Sequence, residues 1–320
     1  MPRKIRRDSL TAEAAGLQAL IADATAVGDF VGQLQYQQRI DEIQHELHEL
    51  EALPSPLASV ALYFSGAPVF GSRGIAADFA GKILGDFQEL VSKNFAKAEL
   101  GSIGKRGKIP LQQNTELLVT SLAHGSFGFV LDEINDQDQL CDTALKDVVA
   151  ETVKLIASVS SEEEATFEEV MSEIDSRVLI SLRDFFKDMD NASASIRLIE
   201  DLNEYILDSH AVHRARLRTE FAEIAEETQL IRGFLKGFLP DHKKFELVDL
   251  TGSTIYGTAT KEATVQFEKA IQSGIPAISS ECAANFLIRL IKPLNVPEKF
   301  TYRLINFESI GSLPLTPDDS

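Results

Sequence analysis

The repeat of apolar residues changes its period near Leu230, and this change constrains the fold of the chain most strongly. Downstream of it the predicted elements are FLKGFLP, KKFELVDL, STIYGTAT, the helical KEATVQFEKAIQSG, ANFLIRLI and KFTYRLINF. Pro240-Asp241 and Thr251-Gly252 are turn signals between the first three strands. Three strands, a helix and two strands is the element order of an OB-fold, a five-stranded barrel. Residues 230–309 are therefore predicted to form a small β-barrel of this type, with an SH3-like barrel as the alternative.

A second group of strands is predicted upstream of the barrel. Residues 116–134 are typical of two strands joined at His124-Gly125-Ser126, and residues 60–71 are typical of a second pair. We expect both pairs in one antiparallel sheet that is covered by helices. One of these helices is predicted from the apolar residues that recur at helical spacing between Ile75 and Val91. The predicted fold class is α+β, with an N-terminal helical hairpin, an antiparallel sheet with packed helices, and the C-terminal five-stranded OB/SH3-like small barrel.

Helical periodicity dominates between the sheet and the barrel. The spacing over residues 138–207 predicts three helices, of which the second runs without a break over residues 167–189. The third predicted helix carries Ile196, Ile199, Leu202 and Ile206. Residues 208–229 fit two patterns, because HAVHRARLR alternates like a strand while TEFAEIAEETQ is typical of a helix.

The predicted organisation is a basic disordered arm (1–8), a helical hairpin or coiled coil (9–53), an α+β sheet-plus-helices domain (57–207), a connecting segment (208–229), the small barrel (230–309) and a flexible tail (310–320). The second helix of the hairpin has apolar residues near helical or heptad spacing at Phe30, Leu34, Ile40, Ile43, Leu47 and Leu50. Such a helix packs either on its own domain or on a second copy. We expect a homodimer or higher oligomer formed through these residues.

The overall charge restricts the partners. Asp and Glu total 49 against 31 Lys and Arg, which gives a net charge of −18 that repels nucleic acid and anionic lipid at long range. The two cysteines, Cys141 and Cys282, cannot form a disulfide framework or a cysteine zinc site. Neither a run of about 18 apolar residues nor a clean signal-peptide core is present in the sequence. The chain is predicted to be cytoplasmic, without a membrane segment.

Candidate reactive motifs each lack a necessary part. Ser126 in HGSFG has no glycine two positions earlier, as a nucleophile elbow requires. The pairs His45/His48 and His210/His213 have no further ligands in a recognisable metal pattern. We therefore predict no catalytic residue, no metal site and no cofactor.

A basic loop and the barrel favour an alternative, the binding of single-stranded nucleic acid or phosphate. Gly104-Lys105-Arg106-Gly107 matches the GxxG loop of KH domains, although a strand follows it here instead of a helix. The candidate contact residues are Lys105, Arg106, Lys108, Lys243 and Lys244. Candidate aromatic residues for base stacking are Phe238, Tyr256, Phe286 and Tyr302, and filling of the barrel interior explains the same four residues equally well.

Three strings carry a resemblance to other proteins: YFSGAPVFGSRGIAADFAGKIL, SFGFVLDE and RGFLKGFLPDHKKFELVDLTGSTIYG. Together they make the chain similar to a group of bacterial proteins with the same sheet-domain and small-barrel layout. The resemblance spans residues 60–307 but includes no reactive residues. It therefore implies a bacterial origin and carries over no activity.

The function expected from the sequence is that of a non-catalytic interaction or scaffold subunit in a bacterial cytoplasm. Apolar, oligomer-prone segments without a reactive constellation favour a protein that acts with a protein partner. By analogy alone, such subunits act beside an effector, for example in phage defence.

Overall fold

The computed structural model describes residues 1–52, 55–101, 103, 107–123, 127–134, 141–221, 223–273, 278–292 and 299–309. The chain divides into two compact units, Met1–Thr219 and Glu220–Ser320. The elements up to the boundary are α1 (Arg3–Val27), α2 (Phe30–Ala52), β1 (Ser59–Gly66), α3 (Ala77–Leu100), a 3-10 turn (Gln112–Thr115), β2 (Leu118–Ala123), β3 (Phe127–Asp132), α4 (Ala144–Ser160), α5 (Glu164–Glu173), α6 (Ser176–Asn191), β4 (Ala194–Glu200), β5 (Asn203–Leu207) and α7 (Ser209–Phe221).

The first unit is built on an antiparallel sheet in the order β2-β3-β1-β4-β5, and α1 and α2 form the predicted hairpin. The central strand β1 is buried on both faces from Val60 to Phe64. On one face Phe64 packs edge-on against Phe79 of α3, with ring centroids 5.5 Å apart. On the other face Ile5 of α1 packs on a cluster that includes Tyr63 of β1. The hairpin therefore covers the sheet face that the other helices leave open.

The partners of β1 differ from the prediction. Residues 60–71 form one strand rather than a pair, because β1 ends at Gly66 and pairs with β3 and β4. Gly66 has a φ of 99°, and a Cβ there would lie 2.3 Å from the Ser193 carbonyl oxygen, so the chain turns away at a position that only glycine occupies easily. Beyond it, an isolated bridge between Val69 and Ile75 is all that remains of the predicted second strand.

The helical region also differs from the prediction in three places. The predicted 167–189 helix is two helices, because the Asp175 carboxylate caps α6 by accepting a hydrogen bond from the Arg177 backbone N–H at 2.8 Å. The predicted third helix is the hairpin β4–β5, in which Asp201 turns the chain with a φ of 48°. Residues 209–221 form helix α7, while the strand that follows begins at Glu223, inside the segment predicted to be helical.

The second unit confirms the predicted five-stranded barrel. Its elements are β6 (Glu223–Leu239), β7 (Lys244–Asp249), β8 (Thr254–Ala259), α8 (Lys261–Gln272), β9 (Glu281–Lys292) and β10 (Lys299–Ser309). The barrel closes in the order β10-β8-β7-β6-β9, with β8 and β10 parallel and the other pairs antiparallel. A helix between the third and fourth strands and a parallel closing pair give the connectivity of an OB-type barrel.

The barrel interior is filled by aliphatic and phenylalanine side chains. Phe245 and Phe286 meet inside it at a centroid distance of 5.2 Å, and Phe267 of α8 stacks on Phe238 at 4.4 Å. Closure depends on Gly257, because a Cβ at that position would lie 2.0 Å from the Tyr302 carbonyl oxygen across the β8–β10 pair. The interior is therefore a packed core and leaves the outer surface for binding.

We expect the Gly257→Ala substitution to destabilise the barrel, because backbone cannot move away from the new methyl group without breaking the parallel pair. The expected loss is at least about 1–3 kcal/mol, which for a unit of this size lowers the midpoint of thermal unfolding by roughly 4–8 °C per kcal/mol. Circular dichroism during heating measures the change. Gly237→Ala is the matched control, since its new Cβ would meet nothing closer than 3.9 Å. Equal stability of the two variants would contradict this account of closure.

Candidate interaction surfaces

The base of the α1–α2 hairpin is fixed to the sheet by ion pairs. The Arg3 guanidinium donates to the Asp201 carboxylate at 2.5 and 2.6 Å, and Lys4 Nζ lies 3.1 Å from the Glu204 carboxylate. The hydrogen bond from Arg3 lowers the pKa of Asp201. The prediction that residues 1–8 form a disordered arm is therefore wrong, because Arg3 and Lys4 have carboxylate partners on the β4–β5 hairpin and α1 begins at Arg3.

The predicted oligomer residues divide into two sets. Ile40 and Ile43 are 4% and 0% exposed, so they are used inside the protomer, and the prediction that they contact a second copy is wrong. Leu47 and Leu50 are half-buried. Phe30 and Leu34, by contrast, are exposed to solvent. The base of α2 therefore packs on its own chain, while its start remains open.

The far end of the hairpin is a cluster of exposed apolar side chains. Four of them are 67–80% exposed, and Leu20 is 45% exposed. We define the hairpin tip as Leu20, Val27, Phe30, Val31 and Leu34. Gly28 makes the connection, with a φ of 74° and its N–H directed at the last turn of α1. An apolar cluster of this kind is typical of an association surface.

Charge is almost absent from the distal half of the hairpin. Between residues 14 and 38 the only charged side chains are Asp23 and Asp29. At the border of this region the Arg39 guanidinium donates to the Glu13 carboxylate at 2.8 Å, which joins the two helices. The hairpin therefore has a charged base and a nearly neutral distal half, as in the centre of protein interfaces.

The predicted phosphate-contact residues lie in separate parts of the chain. Lys105 and Arg106 lie outside the described residues, and Lys108 is exposed. Arg177 donates to the Gly107 carbonyl oxygen at 2.8 Å. Lys243 and Lys244 belong to the barrel unit, where both are exposed.

The barrel surface carries a polar row across three strands. Lys244 of β7 pairs with Thr258 of β8, and Thr258 pairs with Arg303 of β10, so the three residues are neighbours on one face. One row further, Tyr256 lies opposite Glu246 and is 76% exposed. We call these five residues the barrel row. They combine two cations, a carboxylate, an open aromatic ring and a hydroxyl group on the outer face of the barrel.

The other candidate stacking residues are not available. Phe238 and Phe286 are buried in the barrel core, so they fill the barrel, which is the second of the two roles that the sequence left open for them. Tyr302 is half-buried, and its ring meets Phe286 edge-on at 6.4 Å. Phe300, which the sequence did not single out, is exposed.

The candidates for chemistry bring no reactive centre together in the described part of the chain. His124 and Ser126 lie outside it. His213 lies against Asp190, whose carboxylate also accepts a hydrogen bond from Arg216 at 2.7 Å. Within the described ranges, no group of three His, Cys, Asp or Glu side chains could hold a metal ion. Nor is any helix there long and apolar enough to cross a membrane.

A small cavity of about 200 Å³ lies among α3, α4 and α5. Its charged lining residues, Lys97, Glu151 and Lys154, are of both signs, and Leu155 supplies apolar surface. Because opposite charges line the same small volume, the cavity presents no consistent set of groups for one ligand.

One titratable pair was not predicted from the sequence. Burial, followed by the neighbouring Asp188 carboxyl, raises the pKa of Asp86 to about 7. The Oδ2 atom of Asp86 is buried without a hydrogen-bond partner, while Lys82 Nζ donates to Asp188 Oδ1 at 2.7 Å. The pair lies between α3 and α6, about a hundred residues apart in sequence, so no local pattern could reveal it.

We expect Asp86→Asn to stabilise the protein above pH 7. Because the folded-state pKa of Asp86 is raised above its ordinary value, folding is favoured while the carboxyl is protonated and loses stability as the pH rises towards 7. The amide removes this loss, on the order of 1 kcal/mol, or roughly 2–4 °C in the unfolding midpoint. Thermal unfolding at pH 5 and pH 8 tests this, with Glu99→Gln, an exposed change near the end of α3, as the control. A stabilisation that is equal at both pH values would contradict the assignment.

Comparison with known proteins gives no match at any level. No protein-family model, no curated protein and no solved structure matches the chain. The surfaces described above are therefore the basis for any functional conclusion.

Proposed function

We propose that the chain is a non-catalytic interaction or scaffold subunit that self-associates through the hairpin tip and acts with a protein partner. The observation that carries this proposal is the exposure of Val27, Phe30, Val31 and Leu34 at the end of a helical hairpin. The sequence resemblance and the low cysteine content support a bacterial cytoplasmic setting. A place beside an effector, as in phage defence, is proposed by analogy alone.

The size of the tip is sufficient for a reversible dimer. Full burial of one large apolar side chain contributes roughly 1.5–3 kcal/mol, so the four most exposed residues from each of two copies supply on the order of 12–24 kcal/mol. Association itself costs about 4–15 kcal/mol. The midpoints of these two ranges differ by about 8 kcal/mol, which corresponds to a dissociation constant in roughly the micromolar range.

The charge distribution indicates why two copies would meet at this surface. Each chain has a net charge of −18, so most approaches between copies are repulsive. The distal half of the hairpin carries only the charges of Asp23 and Asp29, so two copies come together there with little local repulsion. A two-fold arrangement also places the same apolar surface on both sides of the contact.

Replacement of Phe30 and Leu34 together by glutamine should convert the dimer to a monomer. Both side chains are exposed in the protomer, so the fold should be unaffected while the dissociation constant rises at least about 100-fold, or ~2.7 kcal/mol. Sedimentation equilibrium over a range of concentrations gives both values. Gln35→Ala, an exposed change on the same helix, is the matched control. A wild-type protein that stays monomeric, or a double variant that still dimerises, would refute self-association through the tip.

The barrel row supports a second candidate, the binding of single-stranded nucleic acid. Cations beside an exposed aromatic ring are the features that hold a phosphate backbone and a stacked base. The barrel is also the less acidic unit: residues 220–320 contain 10 Lys and Arg against 14 Asp and Glu, while residues 1–219 contain 21 against 35. The overall negative charge opposes this candidate, and we rank it second.

Removal of the exposed ring tests this candidate. Tyr256→Ala should weaken the binding of a fluorescent single-stranded oligonucleotide by about 1–3 kcal/mol, because one base loses its stacking surface. Lys244→Ala should weaken binding and reduce its salt dependence. Fluorescence anisotropy at low and moderate salt measures both effects, and Lys261→Ala on α8 is the control. Absence of binding at low salt would eliminate the candidate.

A further inference from the structure

The two edges of the sheet differ in how they are protected. An edge strand presents unpaired backbone N–H and C=O groups, and proteins usually guard it with charged side chains or proline. The edge strand β5 carries Glu204, which lies 2.5 Å from Arg197 and also contacts Lys4. The other edge strand, β2, has the sequence LVTSLA, without charge or proline. Among the strands that the structure describes, β2 is therefore an unguarded edge.

The side chains of β2 are also uncovered. Leu118, Val119 and Leu122 are 42%, 50% and 56% exposed. Val119 pairs with Leu131 and Leu122 pairs with Phe129, so both point to the sheet face on which the helices pack. The helices cover the middle of that face but leave its β2 side open. Val119, Leu122 and half-buried Phe129 form an apolar strip beside the open backbone edge.

A bulge in β2 arranges this strip. The register with β3 shifts between Val119 and Ser121, so Thr120 is an extra residue. Its hydroxyl group donates to the Asp132 carboxylate, which fixes the bulge in place. Because of the bulge, two apolar residues three positions apart lie on the same face. A strand that added to β2 would have to follow the same bend, which limits it to one register.

We propose that β2 is a docking edge, to which an extended segment of a partner protein adds as a sixth strand of the sheet. This inference rests on the proposed function, because it names the surface that receives the partner. Backbone hydrogen bonds would supply the affinity, and alternate apolar side chains of the segment would cover the strip. The segment and β2 together would complete the cover that the helices leave unfinished.

The charge of the surroundings defines the chemistry of the segment. Exposed Glu116 lies just before β2, and residues 1–219 carry 14 more acidic than basic side chains. A segment with Lys or Arg at its ends and apolar residues at alternate positions fits both the field and the strip. A second copy of β2 fits less well, since it would bring two acidic units side by side.

Selection from a displayed library of random 12-residue peptides tests the proposal on the full chain. We expect the enriched peptides to share apolar residues at every second position, an excess of Lys and Arg, and dissociation constants in the micromolar range. Leu122→Lys and Val119→Lys, which add the charge that protected edges carry, should each weaken the binding at least tenfold. Ile206→Lys on the guarded strand β5 is the matched control and should leave binding unchanged.

A second measurement tests the proposal on the unaltered protein, without the Leu122→Lys and Val119→Lys variants. Alternate backbone nitrogens of a selected peptide are methylated in two complementary patterns. An added strand directs every second N–H group at β2, so one pattern should abolish binding to the unaltered protein and the other should be tolerated. No enrichment, binding that tolerates Leu122→Lys, or binding that survives both patterns of methylation would overturn the proposal. Dissociation of the unliganded dimer by Leu122→Lys would also overturn it, in favour of β2 pairing with a second copy.

The experiment keeps this inference separate from self-association. The same peptides are measured on the double glutamine variant of Phe30 and Leu34. Strand addition that persists on that variant shows that docking does not need the tip. A dimer that forms while no peptide binds would leave self-association standing and reject the docking edge.

Discussion

A strand that is buried on both faces has to be covered twice, and this requirement organises the N-terminal unit. From Val60 to Phe64 every residue of β1 is buried, so neither face of the sheet can be left to solvent at that strand. Helices cover one face, and the first turns of α1 cover the other through Ile5. The hairpin is thus part of the core at its base. Its ion pairs with the β4–β5 hairpin position α1 over the apolar cluster rather than serving as a separate attachment.

The residues of β1 from Val60 to Phe64 are buried, whereas apolar residues at the hairpin tip and on β2 are exposed. Both proposed interaction surfaces consist of these exposed residues. At the far end of the hairpin, the apolar side chains of the tip are exposed. At the edge strand β2, the helices no longer reach and Val119 and Leu122 are exposed. In each case the apolar residues continue a pattern that is buried closer to the centre. The cost of leaving them in water is what would favour association.

Local patterns predicted the barrel well but failed where contacts are distant in sequence. The barrel strands alternate and are separated by turn residues, and α8 begins at Lys261 as predicted, with Thr260 as its cap, so each element is specified by its own residues. The β4–β5 hairpin was mistaken for a helix, because Ile196 and Ile199 are three residues apart and a buried strand can show the same spacing. The basic start of the chain was mistaken for a disordered arm because its partner Asp201 lies almost two hundred residues away.

For the candidate surfaces too, local patterns identified candidate residues but could not show which of them are exposed. The apolar repeat of α2 predicted Phe30 and Leu34 as contact residues but could not show that Ile40 and Ile43 serve the protomer, since burial depends on how α1 and the sheet are placed. Likewise, the list of barrel aromatics could not separate Tyr256 from Phe286. The Tyr256 side chain lies on the outer face of β8, whereas Phe286 of β9 is buried in the barrel. Neither the Asp86–Asp188 pair nor the unguarded state of β2 has a local signature, because both are properties of neighbours in space.

Helix α1 runs without interruption for 25 residues, which corresponds to about 37 Å from the sheet to the tip. Two copies joined at their tips would thus hold their sheets apart, and both β2 edges would remain accessible at once. Such a dimer would be bivalent. A partner that carries two copies of the docking segment would bind the second edge as an intramolecular event, so weak individual strands would give strong overall binding. The length of one helix would then decide which spacing between segments the assembly accepts.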